Sequence, residues 1–271
     1  MTSLSASQTH NARYLVYAKA TYYENSVRVF IFNKPFVATE QGYELPARPS
    51  HAPCEDDEPE IPYETNEERS IRRARKTMKD YVLCNHFDIF ATFTIGTDRY
   101  NDERSIKRML TWLKNQRNRN GKFRYIVVTE RHKDGALHFH ALIGGYTGNL
   151  AYAINPNSGG YISDKRGDFV RNFSEYKLGN NTAKIIDNKE GSTKTAYYLQ
   201  KYVGKDLTAS FGKKRYWVSR GLKKPAVEQN PEPFYKQIDT PLHWVVDHGT
   251  ILEFEYGLNP VTDMFIEAHR T

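Results

Sequence analysis

Val127-Val-Thr-Glu-Arg-His-Lys-Asp-Gly-Ala-Leu-His-Phe-His-Ala-Leu142 holds two apolar runs joined by Lys133-Asp134-Gly135. The runs, Phe123 to Glu130 and Ala136 to Ile143, have the length and residue types of strands. Lys-Asp-Gly suits a three-residue hairpin loop with glycine in the left-handed position. That loop pairs His132 with Ala136, Glu130 with His138 and Val128 with His140. Directly opposed residues share a sheet face. Glu130, His132, His138 and His140 therefore gather on one side, with Leu137, Phe139 and Ala141 on the other. A slip of one residue would set Glu130 beside Phe139 and disperse the group. Two imidazoles and a carboxylate on a rigid face suit a divalent cation, Mg2+ or Mn2+, held by Glu130, His138 and His140. His132, at the turn, belongs in solvent. The other reading is two histidines on a polar sheet face, since chance supplies about 0.3 His-x-His pairs at this histidine content.

Working outward, His86 to Ile95 alternates as a strand, and Asp102 to Asn118 spaces Ile106, Met109, Leu110 and Leu113 as an amphipathic helix. Glu67 to Lys79 reads as a strongly basic helix, and Ser192 to Lys205 as another. Residues 144–192 carry several Gly and Asn and read as loops with short strands. The order β-α-β-β-α over residues 86–205 predicts an α+β fold, a central, mostly antiparallel sheet with packed helices. Ala12 to Phe36, rich in Tyr, Val, Phe and Ile, adds a small hairpin. The expected organisation is a β-rich extension over 1–45, an acidic Pro-bearing linker over 46–66, a main domain over 67–225 and an extension over 226–271. In that last part Trp244-Val-Val246 and Ile251 to Glu255 are candidates for added strands.

The 271 residues carry 39 Lys and Arg against 32 Asp and Glu. The charge is uneven. Residues 1–66 have five basic and nine acidic side chains, which leaves a net +11 on the remainder. A basic main domain in a chain with 13% aromatic residues points to a nucleic-acid partner, through phosphate contacts and base stacking. Lys213-Lys-Arg215 and Arg220-Gly-Leu-Lys-Lys224, interleaved with Tyr216 and Trp217, are the contact candidates there. Cys54 and Cys84 are too few for a disulfide framework or a four-cysteine zinc site and fit a reducing compartment. No apolar run approaches the roughly 18–20 residues of a membrane span, and MTSLSASQTH lacks the pattern of a secretory signal. A cytoplasmic protein is expected.

On a helix Tyr198 and Tyr202 stand at i and i+4, with Lys194 four before and Lys205 seven after Tyr198. One stripe thus presents Lys, Tyr, Tyr, Lys. A phenol titrates near pH 10, and cations alongside favour the phenolate and hold a phosphate. Packing of the rings on the sheet is the alternative, for which Tyr197, beside Lys201, is the better candidate.

Leu137-His-Phe-His-Ala-Leu142 followed by Tyr198-Leu-Gln-Lys-Tyr-Val-Gly-Lys205 resembles the HUH endonucleases, specifically the two-tyrosine rolling-circle replication initiators of phages and plasmids. Phe93-Thr94-Ile95 looks like the first motif of that family. The resemblance covers roughly residues 86–225 and implies an HUH-like nuclease domain within 67–225. It implies His138 and His140 as metal ligands with Glu130 as the acidic ligand, and Tyr198 and Tyr202 as the nucleophiles, either of which attacks first. Lys205 is implied as partner of the phosphate or the leaving group, with Lys194 and Lys201 beside the DNA. The implied reaction is nicking and rejoining of single-stranded or hairpin origin DNA through a 5′-phosphotyrosine. The free 3′-OH then primes synthesis. No G-x-x-x-x-G-K-[ST] loop occurs, so unwinding would fall to a separate host helicase, and synthesis to a host polymerase. A transposase or relaxase of the same superfamily, a hydrolytic metallonuclease and a non-enzymatic nucleic-acid-binding protein are the alternatives.

Overall fold

The computed structural model describes residues 13–24, 26–39, 42–43, 65–186, 199, 214–231, 242–246 and 249–255. In chain order come β1 (Arg13–Tyr22), β2 (Ser26–Thr39), β3 (Gly42–Tyr43), helix α1 (Asn66–Leu83), β4 (Ile89–Thr94) and helix α2 (Asp102–Arg119). There follow β5 (Arg124–Arg131), β6 (Leu137–Gly144), β7 (Leu150–Tyr152), β8 (Arg171–Phe173) and β9 (Asn181–Ile185). The last are β10 (Tyr216–Val218), β11 (Ala226–Gln229), β12 (Leu242–Val246) and β13 (Gly249–Glu255). The fold is α+β, with two sheets whose pairings are all antiparallel. Two compact units divide the chain, residues 63–224 and residues 1–62 with 225–271. Among the described residues no helix is long and apolar enough to cross a membrane.

In the unit of residues 63–224 the sheet runs β10-β5-β6-β4-β9-β8-β7. Its alternating side chains make two different faces. Ile89, Ala91 and Phe93 of β4, Val127 of β5 and Phe139, Ala141 and Ile143 of β6 point to one side. There α2 lays down Ile106, Met109, Trp112 and Leu113, and Phe173, Tyr176 and Trp217 close the core. Burial of Ile106, Met109 and Leu113 is complete or nearly so, worth about 1.5–3 kcal/mol for each side chain. The helix starts where Asn101 accepts a hydrogen bond from the Arg104 amide at 3.0 Å.

On the opposite face α1 packs Ala74, Met78 and Val82, spaced four residues apart, against Ile126, Val128 and Leu142. Thr65 caps that helix in a reciprocal box with Glu68, an unannounced start just beyond the acidic stretch. Of its basic side chains Arg72, Arg73, Arg75 and Lys76 are exposed, and Arg69 and Lys79 are half-buried. The strand read from His86 begins three residues later, at Ile89. Its approach is a crossing of backbones. A Cβ on Gly144 would stand 2.2 Å from the His86 carbonyl oxygen, so only glycine lets the two segments pass.

In the other unit the order is β11-β1-β2-β13-β12, with β3 beside β2. The N-terminal hairpin forms as its composition implies, but its neighbours come from the far end of the chain. β1 pairs with β11 and β2 with β13. The Tyr22 hydroxyl donates to Glu228 at 2.6 Å, and Asn230, in the left-handed region at φ 49°, accepts from the Tyr17 amide at 2.9 Å. The segments set apart as 1–45 and 226–271 thus contribute strands to one sheet. Nearly all of the stretch read as a linker, residues 46–66, lies outside the described residues.

Candidate active site

The hairpin has the register its turn dictates. Glu130 stands opposite His138, and Val128 opposite His140. The His132 amide donates to the Ala136 carbonyl at 2.8 Å, and Gly135 takes φ 89°. Asp134 fixes the turn by accepting from the Ala136 amide at 3.0 Å. That bond holds its carboxyl below the usual carboxylate range. On the other side of β6, Thr92 of β4 pairs with His140 and Thr94 with His138.

These strands bring Glu130 and His140 into direct contact, with Oε2 and Nε2 3.1 Å apart. Two ligands at right angles on one octahedral Mg2+ keep about the same separation, roughly 3 Å. The donor chemistry and the spacing of this pair therefore fit a hard divalent cation. His140 is buried and is steadied by the Thr92 hydroxyl, 3.2 Å from Nδ1, and by Phe90, whose ring stacks at 6.1 Å between centroids. Holding the second nitrogen of a ligand histidine is the usual way to fix its tautomer and orientation.

His138 shares the face but not the contact. Its ring stacks on His132, with centroids 4.5 Å apart, and among the described residues it makes no hydrogen bond. Burial, with the His132 ring next to it, lowers the pKa of His138 below the ordinary imidazole value. The neutral ring keeps a lone pair available. No three His, Cys, Asp or Glu side chains converge as a metal-holding group among the described residues, so the expected trio is present as one formed pair and a half-buried neighbour. His132 is exposed and also meets Asp134 at 3.2 Å, so it lies at the turn where the sequence puts it.

A cavity of about 420 Å³ opens beside His138, lined by Thr94, Arg99, His132, Gly179 and Asn180 among others. Thr94 is tied into the rim by accepting from the Asn180 amide at 3.0 Å. Arg99 pairs with Asp134 and brings a cation to the histidines. The sequence carried no signal for Arg99 or for Thr92, because their positions depend on how the strands line up. Tyr198, Tyr202, Lys194, Lys201, Lys205 and Lys213 lie outside the described residues. Leu199, next to Tyr198 in sequence, is helical and fully buried. Its cluster includes Ile126, Val128 and Leu142, on the face that carries Glu130 and His140. Lys214, Arg220, Lys223 and Lys224 are exposed, while Arg215 is half-buried and bonds Ser70 at 3.2 Å and Glu67 at 3.6 Å. Trp217 is in the core.

Residues 88–207 match a family model of replication-associated proteins, the ORF2 family. The matched segment runs from just before β4 through the hairpin and past both tyrosines, a little under half of the chain. This similarity supports a role in the initiation of DNA replication. No curated protein and no solved structure matches the chain.

Proposed function

We propose that this protein is an HUH-type rolling-circle replication initiator that nicks and rejoins single-stranded or hairpin origin DNA. The observation that carries the reading is the Glu130–His140 pair at 3.1 Å on the hairpin face, inside the segment similar to replication-associated proteins. Glu130, His138 and His140 would hold Mg2+ or Mn2+, with His138 turning away from His132 to join. The bound ion would polarise the scissile phosphate.

The rest of the chemistry belongs to the chain. A tyrosine oxygen, from Tyr198 or Tyr202, attacks phosphorus and forms the P–O bond of a 5′-phosphotyrosine. The phenol gives up its proton to solvent as it attacks, the P–O3′ bond breaks, and the departing oxygen takes a proton to become a free 3′-OH, with Lys205 as the implied donor. The phosphodiester is exchanged rather than hydrolysed, so the second tyrosine can return the strand to a 3′-OH without ATP. The burial of helical Leu199 on the same face supports bringing the tyrosine segment to the histidines. A host helicase and polymerase in the cytoplasm complete the process.

The test is a denaturing gel of the full chain with oligonucleotides labelled at either end, in Mn2+ or EDTA. A metal-dependent adduct carrying the 3′ portion of the DNA is expected, lost in the Tyr198→Phe/Tyr202→Phe variant. An adduct that persists in that variant overturns the tyrosine assignment. Cleavage without any adduct overturns transesterification and leaves a hydrolytic nuclease.

A further inference from the structure

At the β10 edge of the sheet lies a cleft of about 980 Å³, roofed on one side by α1 and on the other by α2. Six cations line it: Arg73 of α1, Lys114 and Arg117 of α2, and Lys214, Arg215 and Arg220 on either side of β10. Among the described residues no carboxylate is in the lining. Among the described residues only Arg215 of the six has a salt bridge, to Glu67. Arg117 sits over the Tyr125 ring at 6.0 Å, and its buried Nε has no hydrogen-bond partner. Like charges gathered with a single such counter-charge repel one another and favour a bound anion. A patch of solvated surface lysines does not explain three elements converging on one concave wall.

The ligand must supply several negative charges along a line, since the cations come from both faces of the sheet and from the strand between them. We propose that this cleft binds the phosphate backbone of DNA flanking the nick site, an inference that rests on the reading of the chain as a DNA-processing protein. Tyr216, Val128 and His140 are successive rungs across β10, β5 and β6. Strands about 4.8 Å apart put the cleft wall roughly 10 Å from His140. The cleft therefore holds neighbouring nucleotides and leaves the scissile phosphate to the histidine face. Substrate length is the variable that separates the two sites.

The experiment compares Arg73→Gln/Lys114→Gln/Lys214→Gln with a control of equal charge loss outside the cleft, Lys107→Gln/Lys122→Gln/Lys177→Gln. All six side chains are exposed, so both variants keep their packing. Binding of a labelled single strand of about 30 nucleotides is followed by anisotropy in EDTA over a salt series. Each lost phosphate contact removes about 0.7 from the slope of log K against log salt, so the cleft variant should lose about 2 and the control nothing. Adduct formation in Mn2+ on a substrate of about 8 nucleotides should match the wild type in the control variant. Equal slopes for wild type and cleft variant overturn the proposal, as does an equal loss in the control. A slope loss confined to the cleft variant, in a protein that forms no adduct on any DNA, keeps the cleft and sinks the nicking reading. A wild-type chain that binds no DNA sinks both.

Discussion

Thr92→Val is the most direct probe of how His140 is held. Valine has the shape and strand preference of threonine but neither donates nor accepts. In the ion-free protein the Glu130 carboxylate can only accept, so a neutral His140 ring carries its proton on Nε2 and accepts at Nδ1 from the Thr92 hydroxyl. On the proposed reading a cation would take Nε2, the proton would then sit on Nδ1, and the same hydroxyl would have to accept it. Threonine serves both states by turning its O–H; valine serves neither. The ring is buried, so the nitrogen left behind cannot reach water freely. Losing that bond should cost about 1–2 kcal/mol of stability. For a unit of this size that is roughly 2–8 °C in Tm. Affinity for Mn2+ should fall about tenfold, as for other residues that orient a ligand. Calorimetric titration with Mn2+ and thermal melts, with and without the ion, measure both, and Thr92→Ser should restore the affinity because it returns the hydroxyl. A Thr92→Val protein with wild-type Mn2+ binding and wild-type melting would refute this account of His140.

Three further outcomes follow from the same structure. Gly179→Ala should lower the urea midpoint at unchanged m, by about 1–3 kcal/mol, because its Cβ would stand 2.4 Å from the Thr94 carbonyl oxygen and 2.9 Å from the Gly96 nitrogen. His138, lowered in pKa by burial and by His132, binds fewer protons folded than unfolded below about pH 6.5, so its contribution to stability declines as pH falls through that range. His138→Gln should flatten that part of the stability profile in chemical denaturation. Asn85→Ala should cost about 2–4 kcal/mol and speed hydrogen exchange at the Lys223 amide. The buried Asn85 side chain donates to the Tyr81 and Lys223 carbonyls at 2.8 and 2.9 Å and accepts from the Lys223 amide at 3.0 Å.

The hairpin was legible because two local signals agree. His138 and His140 alternate with apolar residues, and Gly135 supplies the left-handed turn that sets one register. Helix α2 was legible from the spacing of its apolar residues, and α1 from its basic run, though not its capped start or its end at Leu83. Three features were not. The sheet that joins β1 to β11 depends on contacts more than 200 residues apart, such as that between Tyr22 and Glu228, and no local pattern encodes them. β10 is three residues long between basic tracts, so Tyr216 and Trp217 read as stacking groups beside charges. In the fold Trp217 fills the core below α2. The cleft formed by cations of α1 and α2 was not legible, since each helix alone gives no sign that both border the same sheet edge.

The two sheet faces differ in a way that bears on the proposed site. One face is covered by α2 and its aromatic partners, and it buries Phe93, Phe139 and Ile143 almost completely. That face fixes the strands in register. The other is covered by α1 only over Ile126, Val128 and Leu142. Beyond them the same strands continue into Glu130, His138, His140, Thr92 and Thr94. Side chains there inherit the rigidity of the buried rows beneath and beside them. A polar pair such as Glu130 and His140 costs stability when it is buried imperfectly. The strands tolerate it because the apolar rows on either side supply the folding free energy. The proposed site thus lies at the turn end of the hairpin, beside the residues that set its register.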